Sequence, residues 1–169
     1  MSGEIINRVA NSKLVTLDLE DYYPEGDRLN LDIEKWLYQG MILKEKDFRA
    51  YVDNHDWKQY NGKYVAVMCS ADAIIPSWAY LLISVSLSPY ARKFVIGDLE
   101  LLENMIFQDL IETIHINQFE GVPVIIKGCS DKPIPESAYA LLTKRLLPKV
   151  SSLMFGEACS SVPLFKKKK

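Results

Sequence analysis

The sequence predicts an α/β protein with a mostly parallel sheet flanked by helices, built from an internal duplication of an α-β-α-β unit. Three observations carry that expectation. First, two nearly continuous apolar runs, residues 64–68 and 123–127, each lead into a Cys-Ser pair, Cys69-Ser70 and Cys129-Ser130. Strands covered on both faces read this way, because neither face alternates with polar residues. Second, Ile-Pro and an Ala-Tyr-x-Leu segment follow both runs, as Ile75-Pro76 with Ala79-Tyr80 and as Ile134-Pro135 with Ala138-Tyr139. Third, an ordered set of positions recurs 59 residues apart: Phe48 with Phe107, Tyr60 with Phe119, Gly62 with Gly121, Leu82 with Leu141, Leu87 with Leu146, and Pro89 with Pro148. A fixed offset over such a length is the mark of a repeated structural unit.

Residues 1–41 form an N-terminal extension packed on the core. Val15, Leu17 and Leu19 alternate as on a half-buried strand, and Pro24 and Gly26 mark a turn. Leu29, Leu31 and Ile33 alternate again, as a second strand or a helix entry. Asp32 then caps a short helix running through Trp36 to Met41. The first repeat unit spans 42–98 and the second 99–165, with Cys159 in a loop; 166–169 is a basic tail of lysines, read as solvated. Together they make one globular domain.

Each unit opens with a helix, clearest where Leu102, Met105, Ile106, Leu110 and Ile114 fall at helical spacing. A turn at Asn61-Gly62 or Glu120-Gly121 leads to the apolar strand. Pro76 or Pro135 then opens a helix, since its missing N–H is no loss there. That helix runs to Pro89 or Pro148, and a further strand follows at 93–96 or 153–155. Strand, helix and strand in succession make a right-handed parallel crossover.

Composition bounds the function. The 169 residues are 49% hydrophobic and 25% charged, an ordinary globular profile. A net charge of −2 gives no global field for nucleic acid or anionic membranes. No run approaches the ~18 apolar residues of a membrane span. The start, Met1-Ser-Gly-Glu-Ile-Ile, has no signal-peptide pattern, so the expectation is a cytoplasmic protein. An odd count of three cysteines in that reducing compartment points to free thiols, metal ligands or redox chemistry.

Cys69 and Cys129 fall just past the carboxyl ends of equivalent strands, and Cys159 just past the last strand. Ligands of open parallel sheets collect along that edge. Neighbouring strands lie ~4.8 Å apart, so thiols from adjacent strand ends can share one metal ion. Cys69 and Cys129 also precede helices, whose amino ends favour a thiolate. Soft thiolates select zinc or iron, and His55, Asp72, Asp131 and Glu157 are candidates for a fourth ligand. The bland alternative is that the cysteines pack as small hydrophobes. Cys159 weighs against it, because it keeps the Cys-Ser pair outside the repeat. His55 at a helix end and His115 read as structural or exposed, and Ser70, Ser130 and Ser160 as thiolate partners or turn caps. No nucleophile elbow, phosphate-binding glycine loop, HExxH or dinucleotide fingerprint occurs.

Several stretches resemble an uncharacterised bacterial family, domain of unknown function 2480. They are Glu4-Ile-Ile-Asn-Arg-Val-Ala-Asn-Ser-Lys-Leu, Cys69-Ser-Ala-Asp-Ala-Ile with Pro76 and Trp78-Ala-Tyr, Lys127-Gly-Cys-Ser, and Phe155-Gly-Glu-Ala-Cys-Ser-Ser-Val-Pro-Leu. The resemblance brings no assigned activity. It implies a role near sulfur or iron handling and iron–sulfur assembly proteins as partners, because genes of that family lie beside genes for cluster assembly. The leading expectation is an accessory protein in metal or iron–sulfur handling, binding a zinc or iron ion or a cluster through Cys69, Cys129 and Cys159. The alternatives are a thiol enzyme that carries a persulfide or exchanges disulfides, and an interaction module with structural cysteines.

Overall fold

The computed structural model describes residues 14–128, 131–157 and 159–168. In chain order the strands are β1 (Val15–Leu17), β2 (Arg28–Asp32), β3 (Tyr64–Met68), β4 (Lys93–Ile96), β5 (Pro123–Ile126), β6 (Ser152–Glu157) and β7 (Ser160–Lys166). The helices are α1 (Glu45–Asn54), α2 (Ser77–Leu87), α3 (Leu99–Thr113) and α4 (Glu136–Leu146). The chain divides into two compact units: a central one of residues 25–106, and a terminal one that joins residues up to 24 with those from 107 onward.

The central unit holds a parallel three-stranded sheet in the order β2-β3-β4, with Arg28 opposite Tyr64 and Tyr64 opposite Lys93. Its middle strand explains the apolar run. Val65 and Val67 point into a cluster with Phe48, Ile83 and Leu87. Tyr64 and Ala66 point the other way, into a cluster with Val95, Leu102 and Ile106. With both faces covered, a polar residue in β3 would lose its water without gaining a partner.

The terminal unit has the order β1-β5-β6-β7, parallel except for the β6–β7 hairpin. Val124 and Ile126 of β5 enter one core with Phe107, Ile111, Leu142 and Leu146. In both units a first strand, a helix, a short 3-10 turn, a middle strand, a second helix and a third strand succeed one another. Individual hydrogen bonds recur at the offset of 59. Gly62 N–H donates to the Tyr90 carbonyl and Gly121 N–H to the Lys149 carbonyl, both at 2.9 Å. The two glycines have φ of +70° and +72°, a region that a Cβ disfavours.

Three features depart from the sequence expectation. The residues before 42, expected as an extension packed on the core, supply an edge strand to each sheet: β1 pairs with β5, and β2 with β3. The helix expected from Asp32 to Met41 is a single turn, Glu34–Trp36. It stops because Gln39 and Gly40 take φ of 53° and 69°, folding the chain back so that Tyr38 bridges Ile42. Cys159 does not follow the last strand. It sits at the turn into β7, an edge strand that also takes up Lys166 of the expected tail. Pro163 is tolerated in β7 because an edge strand can spare a donor.

Candidate functional site

Two hexads with one pattern, Val15-Thr-Leu-Asp-Leu-Glu20 and Leu29-Asn-Leu-Asp-Ile-Glu34, end the first strand of each unit. Leu17 and Leu19, like Leu31 and Ile33, are buried, so the alternation leaves Asp18 and Glu20, or Asp32 and Glu34, at the carboxyl edge of the sheet. The adjacent element is the loop leaving the middle strand, which carries Cys69 or Cys129.

In the central unit Asp32 Oδ1 accepts from the N–H of Glu34 at 3.0 Å and of Ser70 at 3.1 Å. The Ser70 hydroxyl lies 2.6 Å from Asp32 Oδ2 and 2.7 Å from Glu34 Oε2. One hydroxyl hydrogen serves two carboxylates, so it donates to one at a time. Burial works against ionisation of Asp32. The hydrogen bonds from the Ser70 hydroxyl and from the Glu34 and Ser70 N–H groups outweigh it and hold the carboxyl below its ordinary value.

The terminal unit repeats the clasp with different chemistry. Asp18 Oδ1 accepts from Glu20 N–H at 2.9 Å, and Asp18 Oδ2 from the Lys127 ammonium at 2.6 Å. Glu20 Oε1 accepts from the N–H groups of Asp131 and Lys132, the latter at 3.0 Å. The hydrogen bond to Asp18 raises the pKa of Lys127, helped by the charges of Asp18, Glu20 and Glu157. In each unit, then, an Asp-x-Glu triplet ties the first strand to the cysteine-bearing loop.

Cys69 directly follows β3, half-buried against the central core, and its thiol donates to the Ala71 carbonyl at 3.7 Å. The expected help from a helix amino end is not its described contact: α2 begins only at Ser77. Burial raises the pKa of Tyr80, and the neighbouring Cys69 adds to the effect. Cys159 is an exposed free thiol. Cys129 and Ser130 lie outside the described residues. The residue before them is informative. A Cβ on Gly128 would stand 2.8 Å from the Phe155 ring and 3.4 Å from Gly156 Cα, so the chain entering the Cys129 loop runs against the end of β6. A side chain there would require the Phe155 ring to shift.

Cys69 belongs to the central unit and Cys159 to the terminal one. Among the described residues, no group of three or more histidines, cysteines and carboxylates stands together. Of the candidate fourth ligands, Asp72 is exposed, Asp131 is held through its N–H by Glu20, and Glu157 ends β6 near Lys127. His115 is exposed. His55 follows α1 as expected, but its ring packs among Trp36, Trp57 and Tyr60. Its Nε2 lies 2.9 Å from the Tyr60 hydroxyl and 3.3 Å from the Gln59 amide nitrogen. Nε2 donates or accepts there according to the tautomer of the ring. Burial lowers the pKa of His55, partly offset by Asp56. It is a structural histidine packed in an aromatic cluster.

A model of the family described as "Protein of unknown function (DUF2480)" matches residues 3–167. The chain belongs to the DUF2480 family. Neither the curated proteins nor the solved structures gave a match. In this DUF2480 chain the matched region takes in both Asp-x-Glu triplets and all three cysteines. No helix among its described residues is long and apolar enough to cross a membrane.

The cysteines attracted the sequence reading, and the Asp-x-Glu triplets escaped it. The signal was present: two hexads of one pattern lie 14 positions apart. A search tuned to the offset of 59 passes over them, because each supplies the first strand of a different unit.

Proposed function

We propose that this DUF2480 chain is a cytoplasmic accessory protein that handles a soft metal ion, zinc or iron. Cys129 and Cys159 would be thiolate ligands at the carboxyl edge of the terminal sheet, with Cys69 as the thiol at the matching strand end of the central unit. The observation that carries the reading is the packing of Gly128 on Phe155 and Gly156. It sets the chain that enters the Cys129 loop against the strand end that leads towards Cys159. A link to iron–sulfur assembly proteins is supported by the family resemblance alone. The common element order and the offset of 59 favour an internal duplication as the origin of the two edges.

The test is metal analysis of protein purified anaerobically without chelator. The expected result is one zinc or iron per chain, lost in Cys129→Ser and Cys159→Ser and reduced in Cys69→Ser. Metal-free protein that takes up neither ion on titration overturns the reading. The exposure of Cys159 favours a second reading, a thiol that accepts persulfide sulfur or exchanges disulfides. In that case Cys159 reacts with an alkylating agent at one rate whether or not zinc or iron is added, whereas a ligand is protected by the ion.

A further inference from the structure

The outer face of α2 departs from the rest of the chain in its charge. Residues 73–91 contain no Asp, Glu, Lys, Arg or His, in a sequence of which 25% is charged. Helix α2 lies inside this stretch. Its Ala79, Ile83 and Leu87 are fully buried and recur every fourth residue on the side that packs against Val65 and Val67 of β3. At 100° per residue the opposite side carries Ser77, Leu81 and Val85, continued by Ser88 just past the helix, and all four are exposed. An exposed helix side ordinarily holds charged side chains. This one holds two large aliphatic residues between serines.

The serines add little demand for water. The Ser84 hydroxyl donates to the Tyr80 carbonyl at 2.8 Å, Ser86 to the Leu82 carbonyl at 3.1 Å and Ser88 to the Ser84 carbonyl at 2.7 Å. Each of these hydrogens is used inside the helix. Covering them strands no donor, and a stranded donor is the chief cost of burying polar surface. Leu81 and Val85, meanwhile, gain by leaving water.

The missing charge also selects the occupant. A two-fold contact lays a patch on its own copy, so a charge near the axis meets the same charge. Residues 73–91 present none, and two chains of net charge −2 can meet there with no like charges opposed. A charged partner finds no counter-charge on the strip to fix its register. We propose that two copies of this chain pair through α2, the helices antiparallel about a two-fold axis, with Leu81 of one protomer against Val85 of its partner. A helix of 11 residues falls short of the ~800 Å² per partner of a standard interface, so the dimer is a weak one that dissociates on dilution.

The test is sedimentation equilibrium of the full chain over rising concentration. Reductant and chelator are present, so that neither a disulfide through the exposed Cys159 nor a shared metal joins the copies. Weight-average mass should climb from 19.3 kDa towards twice that value, with an association constant that does not weaken as salt rises. Leu81→Lys/Val85→Lys and Leu81→Glu/Val85→Glu keep good helix formers in α2. Each should weaken association by about tenfold or more, and an equimolar mixture of the two should recover it. A control, Met41→Lys/Ile42→Lys, replaces two exposed apolar residues elsewhere in the central unit and should change association by less than about threefold.

A parent chain that stays monomeric at millimolar concentration overturns the proposal. So does a dimer that survives both charged variants, which places the contact elsewhere, or a mixture of the two that stays monomeric. Equal weakening in the control also overturns it, by reducing the effect to lost apolar surface. Because the cysteines play no part, the result is separable from the metal reading.

Discussion

The hydroxyl of Ser70 stands 2.6 Å from Oδ2 of Asp32, joining positions 38 residues apart at the end of one sheet. The carboxylate also receives the N–H groups of Glu34 and Ser70, and the ionised form is the one these donors hold. Asp32→Asn keeps the shape and removes the charge. It should destabilise the chain by about 1 kcal/mol at pH 7, in the range of a lost cap or charged hydrogen bond at a solvent-reached site. The folded pKa lies below the unfolded value of ~3.9, so this contribution is complete above that value and disappears as pH falls through the folded pKa. Urea unfolding at pH 7 and at pH 3 should show the gap between variant and parent closing at the lower pH.

His55 gives the chain a second pH dependence, in a higher window. Its folded pKa is depressed by burial, so the unfolded chain takes up its proton first. The neutral ring's contribution is full above the unfolded value of ~6.5 and is lost as pH falls from there through the folded pKa. Thermal unfolding should show Tm falling between pH 7 and pH 5, and His55→Phe, which keeps a ring in the aromatic cluster, should flatten that fall.

Gly156 and Gly121 make a matched pair of backbone tests. Both have positive φ, +116° and +72°, so alanine meets a conformational penalty at each. At Gly121 nothing stands within 4 Å of the added Cβ, whereas at Gly156 the Ser160 carbonyl oxygen lies at 2.7 Å. Gly121→Ala should therefore cost about 1 kcal/mol. Gly156→Ala should cost more and should also speed hydrogen exchange in β7. Equal losses would mean that the hairpin tolerates the added carbon.

Leu142 is fully buried in the terminal core beside Phe107 and Val124. Leu142→Ala should lower stability by about 2–5 kcal/mol in denaturant unfolding, the range for a leucine deletion that leaves a cavity. A loss under 1 kcal/mol would indicate that the core refills the space.

The sequence was most legible where burial is symmetrical. Residues 64–68 show their strand because Val65 and Ala66 face opposite cores, and Pro76 and Pro135 mark the start of α2 and α4 because proline has few other places there. Membership of β1 and β2 in different sheets was not legible. Strand pairing is a long-range choice, and Val15 meets Val124 across 109 positions that no local pattern spans. His55 packs as a structural histidine, but its neighbour could not be read: Trp36 comes from a different element, so the aromatic contact is invisible from the helix end alone. Of the candidate site, the strand-end position of Cys69 could be read directly. The carboxylates that hold its loop could not, since Asp32 looked like the cap of a longer helix.

The helices α2 and α4 share a backbone plan but not an outer surface. Leu81 and Val85 of α2 are 65% and 70% exposed, where the matching positions of α4 carry Ala140 and Lys144. The molecule thus contains its own comparison: two helices in matching places of the element order, one with a greasy strip and one with a wettable strip. Moving alanine and lysine onto α2 measures what that strip contributes to self-association or solubility, against a reference already proven by nature to fold.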